Sequence, residues 1–324
     1  MIASLVPPPL RSGETIAIVA PAGRLFDRER FDAGVAHLQA MGYCLRYPHH
    51  LWPGANHLAD SDENRGKECN HLFADPEVKA LIALRGGFGC LRMLEHLDLG
   101  VIATHPKLVV GFSDISILQN YLLMRTGLLS LHGPVVTSLD SADESARLRL
   151  ARCLGGFWQE PIALPEVKIV RPGKAQAAPL IGGNLASLVS LLGTPYDFSW
   201  DEKILFLEDV NEPFYRVDRM LTQLYLAGKF RQLSGLLLGD FSGIHGPNDI
   251  RQNSYLESIC TRVLELCDHH PFPIWANIPA GHRANNQTLP FGALTIMDEE
   301  ASILRFLPAA ADHGGRRFDL HGET

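Results

Sequence analysis

Leu108-Val109-Val110-Gly111-Phe112-Ser113-Asp114 is the stretch from which the fold can be read. An apolar run without polar alternation is the pattern of a strand buried on both faces. It turns at Ser113-Asp114 into a helical stretch carrying Ile115, Ile117, Leu118, Tyr121 and Leu122 at 3–4 spacing. The same strand–turn–helix unit occurs twice upstream. Ile16-Ala17-Ile18-Val19-Ala20 stops at Pro21-Ala22-Gly23 before Phe31, Val35, Leu38 and Met41. Val78-Lys79-Ala80-Leu81-Ile82-Ala83-Leu84 runs into Arg85-Gly86-Gly87-Phe88-Gly89 and then Leu91, Leu94 and Leu97. Such alternation predicts an α/β fold, a parallel sheet with helices on both faces.

A second α/β block begins at Ile181-Gly182-Gly183-Asn184, before Leu185, Leu188, Leu191 and Leu192. Strands are predicted at Ile204–Leu207, ending on Glu208-Asp209, at Gly235–Gly239 and at Pro273–Ile278, which leads into Pro279-Ala280-Gly281-His282. A terminal strand is predicted over Phe291–Ile296, and a helix around Val217, Met220, Leu221 and Leu224. Between the blocks, Ser141-Ala142-Asp143-Glu144 is polar, and Pro161, Pro165 and Pro172-Gly173 punctuate the residues after it, as in an inter-domain linker. The division expected is residues 1–140, a linker over 141–175, a second domain over 176–310 and a disordered tail over 311–324.

Composition excludes several classes of function. The 324 residues hold 29 Lys and Arg against 36 Asp and Glu, a net charge of −7, and the densest basic stretch is Arg316-Arg317. A nucleic-acid binder needs clustered positive charge, so none is expected as a partner. No apolar run is long enough to span a membrane. The N-terminus lacks a basic segment, and Pro7-Pro8-Pro9 interrupts its apolar stretch, so no signal peptide is expected. The six cysteines show no CxxC spacing and read as reduced thiols of a cytoplasmic protein. His245 and His269-His270 have no partner at ligand spacing, and no H-E-x-x-H occurs, so a metal site is not expected.

Ser113 stands where a strand meets a helix, the setting that exposes a nucleophilic hydroxyl beside helix N-terminal N–H groups. The second glycine of G-x-S-x-G is absent, Ile115 standing in its place, and an N-cap role competes. Arg85-Gly86-Gly87-Phe88-Gly89 is neither a dinucleotide fingerprint nor a P-loop. Its glycines suit either a tight connection or a backbone N–H aimed at an oxyanion near Ser113. Cys90 reads as a small packing residue. Glu208 and Asp209 both end a buried strand and either suits the orientation of an imidazole. His282 and His132 are rival bases.

Together, Ala83-Leu84-Arg85-Gly86-Gly87-Phe88-Gly89, Gly111-Phe112-Ser113-Asp114, Gly182-Gly183-Asn184-Leu185, Leu207-Glu208-Asp209-Val210-Asn211-Glu212 with Arg216-Val217-Asp218-Arg219, and Gly281-His282 resemble the LD-carboxypeptidase family, serine peptidase family S66. The resemblance runs from about Ile16 to Leu307. It implies a flavodoxin-like first domain, a distinct α/β second domain and an active site between them. It also implies a triad of Ser113 as nucleophile, Glu208 as orienting carboxylate and His282 as base. The N–H groups of Asp114 and of Gly86 or Gly87 would form the oxyanion hole. Arg85 is a candidate for the substrate carboxylate, and Asn184 for the cleft wall or a helix cap. The implied activity is removal of the terminal D-Ala from murein tetrapeptides during cell-wall recycling, by a cytoplasmic homodimer without metal or organic cofactor. Within the family the alternative is hydrolysis of a peptidyl-adenylate, for which an aromatic loop residue stacks on the base; Trp158 and Trp200 flank that region. Outside it, the alternative is a non-catalytic ligand-binding α/β protein. Departures from the family are Phe88 and Phe112, where relatives carry His or Tyr, and Arg283 after the histidine.

Overall fold

A computed structural model describes residues 4–173, 177–242 and 250–307. The predicted tail over 311–324, His245 and residues 174–176 of the predicted linker lie outside the described residues.

β1 (Thr15–Val19), β2 (Cys44–Arg46), β3 (Val78–Ala83), β4 (Leu108–Gly111) and β5 (Ser130–His132) form a parallel sheet in the order β2-β1-β3-β4-β5. This is the flavodoxin-like order, with its switch point between β1 and β3. Ile16, Ile18, Ala80, Ile82, Leu108 and Val110 enter one core. Ala17, Val19, Leu81, Ala83 and Val109 enter a second. Both faces are therefore buried, which is why these strands read as continuous apolar runs.

The second sheet takes β6 (Ile162–Ala163), β7 (Lys168–Arg171), β8 (Ala178–Asn184), β9 (Ile204–Val210), β10 (Gly235–Ser242) and β11 (Ile274–Ala276). β12 (Leu289–Phe291) then returns to the first sheet, antiparallel to β5. β13 (Leu294–Asp298) and β14 (Ile303–Leu307) complete the second, in the order β6-β14-β13-β8-β9-β10-β11-β7. β8, β9, β10 and β11 run parallel; β7 and the β13–β14–β6 edge are antiparallel. The two cores run through both sheets: Leu180, Ile204, Phe206 and Leu237 join the first, and Ile181, Leu205, Leu207 and Leu236 the second.

Two expectations are corrected. The terminal strand expected over Phe291–Ile296 is two strands, because Gly292 turns the chain at φ 93°, sending β12 to β5 and β13 to β8. The stretch read as a linker carries a helix, Glu144–Leu154, and both outer strands of the second sheet, β6 and β7. Asp143 caps that helix by accepting from the Ala146 N–H at 2.8 Å, and Ala146, Leu150, Cys153 and Leu154 are buried. Its polar opening hid an amphipathic helix.

Gly182 marks where β8 passes β9. Its φ is 128°, and a Cβ there would lie 1.9 Å from the Phe206 carbonyl oxygen. Gly182→Ala is expected to destabilise the fold by about 2–5 kcal/mol, combining left-handed strain with overpacking, measured as a lowered urea midpoint.

Candidate active site

The site forms at the carboxyl ends of β1, β3 and β4, where an open α/β sheet leaves its crevice. After β4 the chain turns so sharply that Ser113 adopts φ 63°, a left-handed conformation unfavourable for a residue with a Cβ. The N-cap of helix Ile115–Thr126 is Asp114, not Ser113. The Ser113 hydroxyl makes no hydrogen bond to another described residue, so the capping alternative is set aside. Asp114 is buried, and its Oδ2 accepts the Cys90 N–H at 2.8 Å. Burial raises its pKa despite that bond. The contact ties the turn after β4 to the glycine loop after β3. Arg65, which the sequence did not single out, ties in the neighbouring turn: its buried guanidinium donates to the carbonyls of Pro21 and Gly89. Asp62, three residues before it, makes Arg65 read in the sequence as half of an ordinary helix-surface ion pair.

Gly86 is pressed against the serine. A Cβ on Gly86 would lie 2.7 Å from Ser113 Cβ and 2.9 Å from its Oγ. Gly87, at φ 115°, is exposed, and the atoms nearest such a Cβ belong to Gly23 and the Arg85 side chain, at 3.6–3.7 Å. Gly86 is therefore better placed than Gly87 to present backbone to the serine.

Glu208 and Asp209 fall on opposite faces of β9. Glu208 shares the face of Ile204 and Phe206. It is wholly buried, and its Oε2 lies 2.6 Å from His282 Nδ1. Asp209 accepts from Asn184 Nδ2 at 3.1 Å, the Ala186 N–H at 2.9 Å and the Val210 N–H at 2.8 Å. Burial, then Glu208, pushes its pKa up to about 6. Asp209 thus holds a helix start and does not reach His282. Asn184 is part of that assembly: its Oδ1 caps the helix Leu185–Val189 by accepting from the Ser187 N–H at 3.0 Å. Of the two roles expected for Asn184, the cap is the one its side chain fills, and it does not line the cavity that holds Ser113.

His282 reaches Glu208 because Gly281, at φ 119°, leaves no side chain in the way; a Cβ there would sit 3.0 Å from Glu208 Oε2. Buried Asn286 fastens the turn, its Oδ1 accepting the Gly281 N–H at 3.0 Å. Burial alone would depress the imidazole pKa. The Glu208 carboxylate outweighs it, with Asp209 and Asp240 adding, so the His282 pKa lies above 6.5. His132 is different. It is fully buried among Phe112, Phe206 and Phe291, and both ring nitrogens lack a hydrogen-bond partner among the described residues. Burial pushes its pKa down to about 4, so it is neutral and enclosed. Burial also raises the Cys90 thiol well above 9.0, which suits packing rather than attack.

Ser113, Gly86 and His282 line one cavity of about 510 Å³, together with Arg85, Phe112 and Arg283. The Phe112 ring packs 4.8 Å from the His282 ring. Arg85 donates to the Arg24 carbonyl at 3.3 Å, and its guanidinium lies over the Phe26 ring. No carboxylate among the described residues pairs with Arg85. Trp158 and Trp200 are buried and do not line this cavity. No cluster of His, Cys, Asp or Glu suited to a metal occurs among the described residues. A hydroxyl on a strained turn, an imidazole on a buried carboxylate and a free cation in one cavity can together perform acyl transfer on an anionic substrate.

Comparison with known proteins shows what the chain is similar to. Residues 16–133 match the family profile described as the LD-carboxypeptidase N-terminal domain, and residues 177–297 that of the LD-carboxypeptidase C-terminal domain. The murein tetrapeptide carboxypeptidase of Pseudomonas aeruginosa is 32% identical over 295 residues, covering 87% of this chain and 92% of the relative. The crystal structure of a muramoyltetrapeptide carboxypeptidase from Oxalobacter formigenes superposes with a TM-score of 0.74 at 29% identity, covering 90% of this chain and 97% of that one. That of an MccF-like protein from Bacillus anthracis gives 0.83 at 25% identity, covering 94% and 99%.

The strain at Ser113 and the contact at Gly86 each yield a prediction. Ser113→Gly is expected to be more stable than Ser113→Ala by about 1 kcal/mol, since glycine adopts positive φ freely, read from thermal or urea unfolding of the two variants. Gly86→Ala is expected to displace the serine and lower turnover by roughly 100-fold or more, in line with a misplacement near 1 Å, while far-ultraviolet circular dichroism stays unchanged.

Proposed function

This chain belongs to the LD-carboxypeptidase family, and from that we propose that it removes the C-terminal D-Ala from murein tetrapeptides by a Ser113–His282–Glu208 mechanism. The observation that carries the proposal is the 2.6 Å contact between a wholly buried carboxylate and an imidazole that shares its cavity with a serine held at positive φ.

With Nδ1 engaged by Glu208, the neutral His282 keeps its proton there and presents Nε2 as the basic atom. Nε2 takes the Ser113 hydroxyl proton as Oγ attacks the peptide carbonyl carbon. The oxyanion meets the N–H of Asp114, the first amide after the nucleophile, and one from Gly86 or Gly87. Among the described residues none of these amides has another acceptor, and one such donor is worth roughly 100–1,000-fold in turnover. His282 then returns the proton to the departing amine of D-Ala. A water molecule, deprotonated by the same nitrogen, attacks the acyl-enzyme; the bond from the acyl carbon to Ser113 Oγ breaks, His282 returns the proton to Oγ, and the shortened peptide leaves. Glu208 stays ionised throughout and stabilises the imidazolium.

A carboxypeptidase must also recognise a free terminal carboxylate. Arg85, which lines the cavity without a carboxylate partner among the described residues, supplies a fixed cation for a charge-assisted pair. Trp158 and Trp200, the two aromatics considered for the adenylate-hydrolysing alternative, are both buried and offer no stacking face to this cavity. We also assign the protein to the cytoplasm, where free thiols such as its cysteines stay reduced, and to a homodimeric state, as expected for the family.

Incubation with a murein tetrapeptide is expected to release D-Ala and leave the tripeptide, detected by chromatography. Ser113→Ala should lower the rate by at least about 10⁴-fold; a rate equal to the parent's would remove Ser113 from the mechanism. A peptidyl-sulfamoyl adenylate offered in the same assay should be the poorer substrate.

The pH dependence comes from the raised His282 pKa. The base works only when neutral, so kcat/KM should fall as pH drops through a value above 6.5. In Glu208→Gln the carboxylate no longer opposes burial, so this acid limb should move to lower pH while the plateau falls roughly 10³–10⁴-fold. An unmoved limb would show that the titrating group is not His282.

A further inference from the structure

His132 takes no part in the proton transfers proposed above, yet packing alone does not call for a histidine at its position. It ends β5 with no exposure to water, ringed by Phe112, Phe206 and Phe291. Phenylalanine would suit such a box without bringing polar atoms into it. Histidine brings two, and neither ring nitrogen has a hydrogen-bond partner among the described residues. Burial pushes its pKa down to about 4, so at neutral pH the ring offers one N–H donor and one acceptor nitrogen. Groups sealed from solvent keep hydrogen-bond partners, from protein or from ordered water. A buried acceptor in the same condition stands close by: Glu208 uses Oε2 for His282, and its Oε1 has no hydrogen-bond partner among the described residues. His132 is packed against the residues that flank Glu208. The ring of Phe206, two residues before Glu208 on the same face of β9, lies 5.1 Å from the His132 ring. Gly183 precedes Asn184, the register partner of Glu208, and a Cβ on it would lie 3.7 Å from His132 Cδ2. Phe112 meets both imidazoles, 4.8 Å from the His282 ring and 6.2 Å from that of His132. Thr288 is also fully buried with Oγ1 unpartnered among the described residues, and that oxygen would lie 2.6 Å from a Cβ on Gly133, the residue after His132.

We infer that His132 is a positioning residue whose N–H supports the second oxygen of Glu208 through one ordered water, and so keeps the carboxylate charged and aimed at His282. The inference rests on the Ser113–His282–Glu208 reading and deepens it. An ordered internal water needs several polar partners; Glu208 Oε1, His132 and Thr288 Oγ1 supply them. The rival donor is Asn286 Nδ2, which is buried and unpartnered among the described residues. The consequence of losing the His132 N–H has a definite sign. With His282 neutral, the pair carries the Glu208 charge alone; with His282 protonated, it is an ion pair of no net charge. A donor to Oε1 favours the first state more than the second, so its removal should raise the His282 pKa. This is the opposite of the direction expected for Glu208→Gln. Asp209 on β9 and Asp240 on β10 also raise that pKa, and Asp27, Arg30, Arg85 and Arg283 line the cavity beside the ring. A substitution at 132 removes none of these charges.

The test is a proton–nitrogen NMR titration of the imidazoles in the parent, His132→Leu, His132→Asn and His132→Gln, with the His282 signal assigned by its loss in His282→Ala. Leucine is close to histidine in volume and has no polar atom. The amides of asparagine and glutamine bring a donor near the places of Nδ1 and Nε2. In His132→Leu the His282 pKa is expected to rise by about one pH unit or more, as for a lost hydrogen bond to a charged group. On the murein tetrapeptide, kcat/KM of that variant should fall roughly 10-fold on the acid limb and recover at higher pH, with KM little changed because His132 is enclosed. One of the two amide variants should hold the parent's pKa. An unmoved or lowered His282 pKa in His132→Leu would overturn the inference, and so would an equal rise in all three variants, which marks a packing role. Should His132→Leu not fold, the asparagine and glutamine variants decide: one at the parent's pKa and one above it supports the inference, and equal values overturn it. A rise in Asn286→Leu with none in His132→Leu would overturn it in favour of Asn286. A parent that releases no D-Ala while His132→Leu shows the rise would sink the substrate reading alone, since the titration needs no substrate.

Discussion

A carboxylate with no exposure to water must have a strong partner, or it will take up a proton or destabilise the fold. Glu208 has His282, at 2.6 Å. Much of the local architecture serves to keep that pair. Gly281 must lack a side chain for the turn to approach the carboxylate, and Asn286 must hold the turn's backbone. Phe112 must fill the space against the imidazole. The residue that covers the base is thus the neighbour of the serine, so the pairing of Glu208 and His282 and the placement of Ser113 are mechanically linked.

The two sheets are not independent carriers of two half-sites. Each core is continuous through both, and β12, from the C-terminal half, closes the edge of the N-terminal sheet beside β5. Helix Ile115–Thr126, which begins at the serine turn, bonds back to the second sheet: Asn120 Nδ2 donates to the Gly182 carbonyl at 2.7 Å, and the Asn184 N–H donates to Ser116 Oγ at 3.3 Å. Gly183 lets β8 come that near, since a Cβ there would lie 2.0 Å from Ser116 Oγ. The relative position of Ser113 and His282 is thereby fixed by packed backbone rather than by a hinge, which suits the proposed reaction, in which an error near 1 Å is costly.

Local signals carried much of this. The strands β1, β3, β4, β9 and β10 were legible because burial on both faces demands unbroken apolar runs. The short strands β2, β5, β6 and β7 were not, since two to four residues give no period to read. Helix Glu144–Leu154 was mistaken for linker because its capping residues are polar, and polarity alone does not separate a cap from a loop. At the site, the turn at Ser113 and the crowding at Gly86 were foreshadowed by the glycines of Gly-Phe-Ser-Asp and Arg-Gly-Gly-Phe-Gly. Arg65, by contrast, gave no sign, because its acceptors are carbonyls of Pro21 and Gly89, remote along the chain.

Residue order and period were sufficient for the α/β class, for turns at the ends of the right strands and, with the family resemblance, for naming positions 113, 208 and 282. They could not separate Glu208 from Asp209 on pattern alone, nor His282 from His132. Both choices depend on which face of β9 meets which neighbour. Asp209 is drawn to the N–H of Ala186 and the amide of Asn184, and His132 is enclosed by three phenylalanines. An ionisable side chain acquires its role from desolvation and from partners a few ångströms away. Here those partners come from segments far apart in the chain, Glu208 and His282 being 74 residues apart, and folding is what sets them side by side.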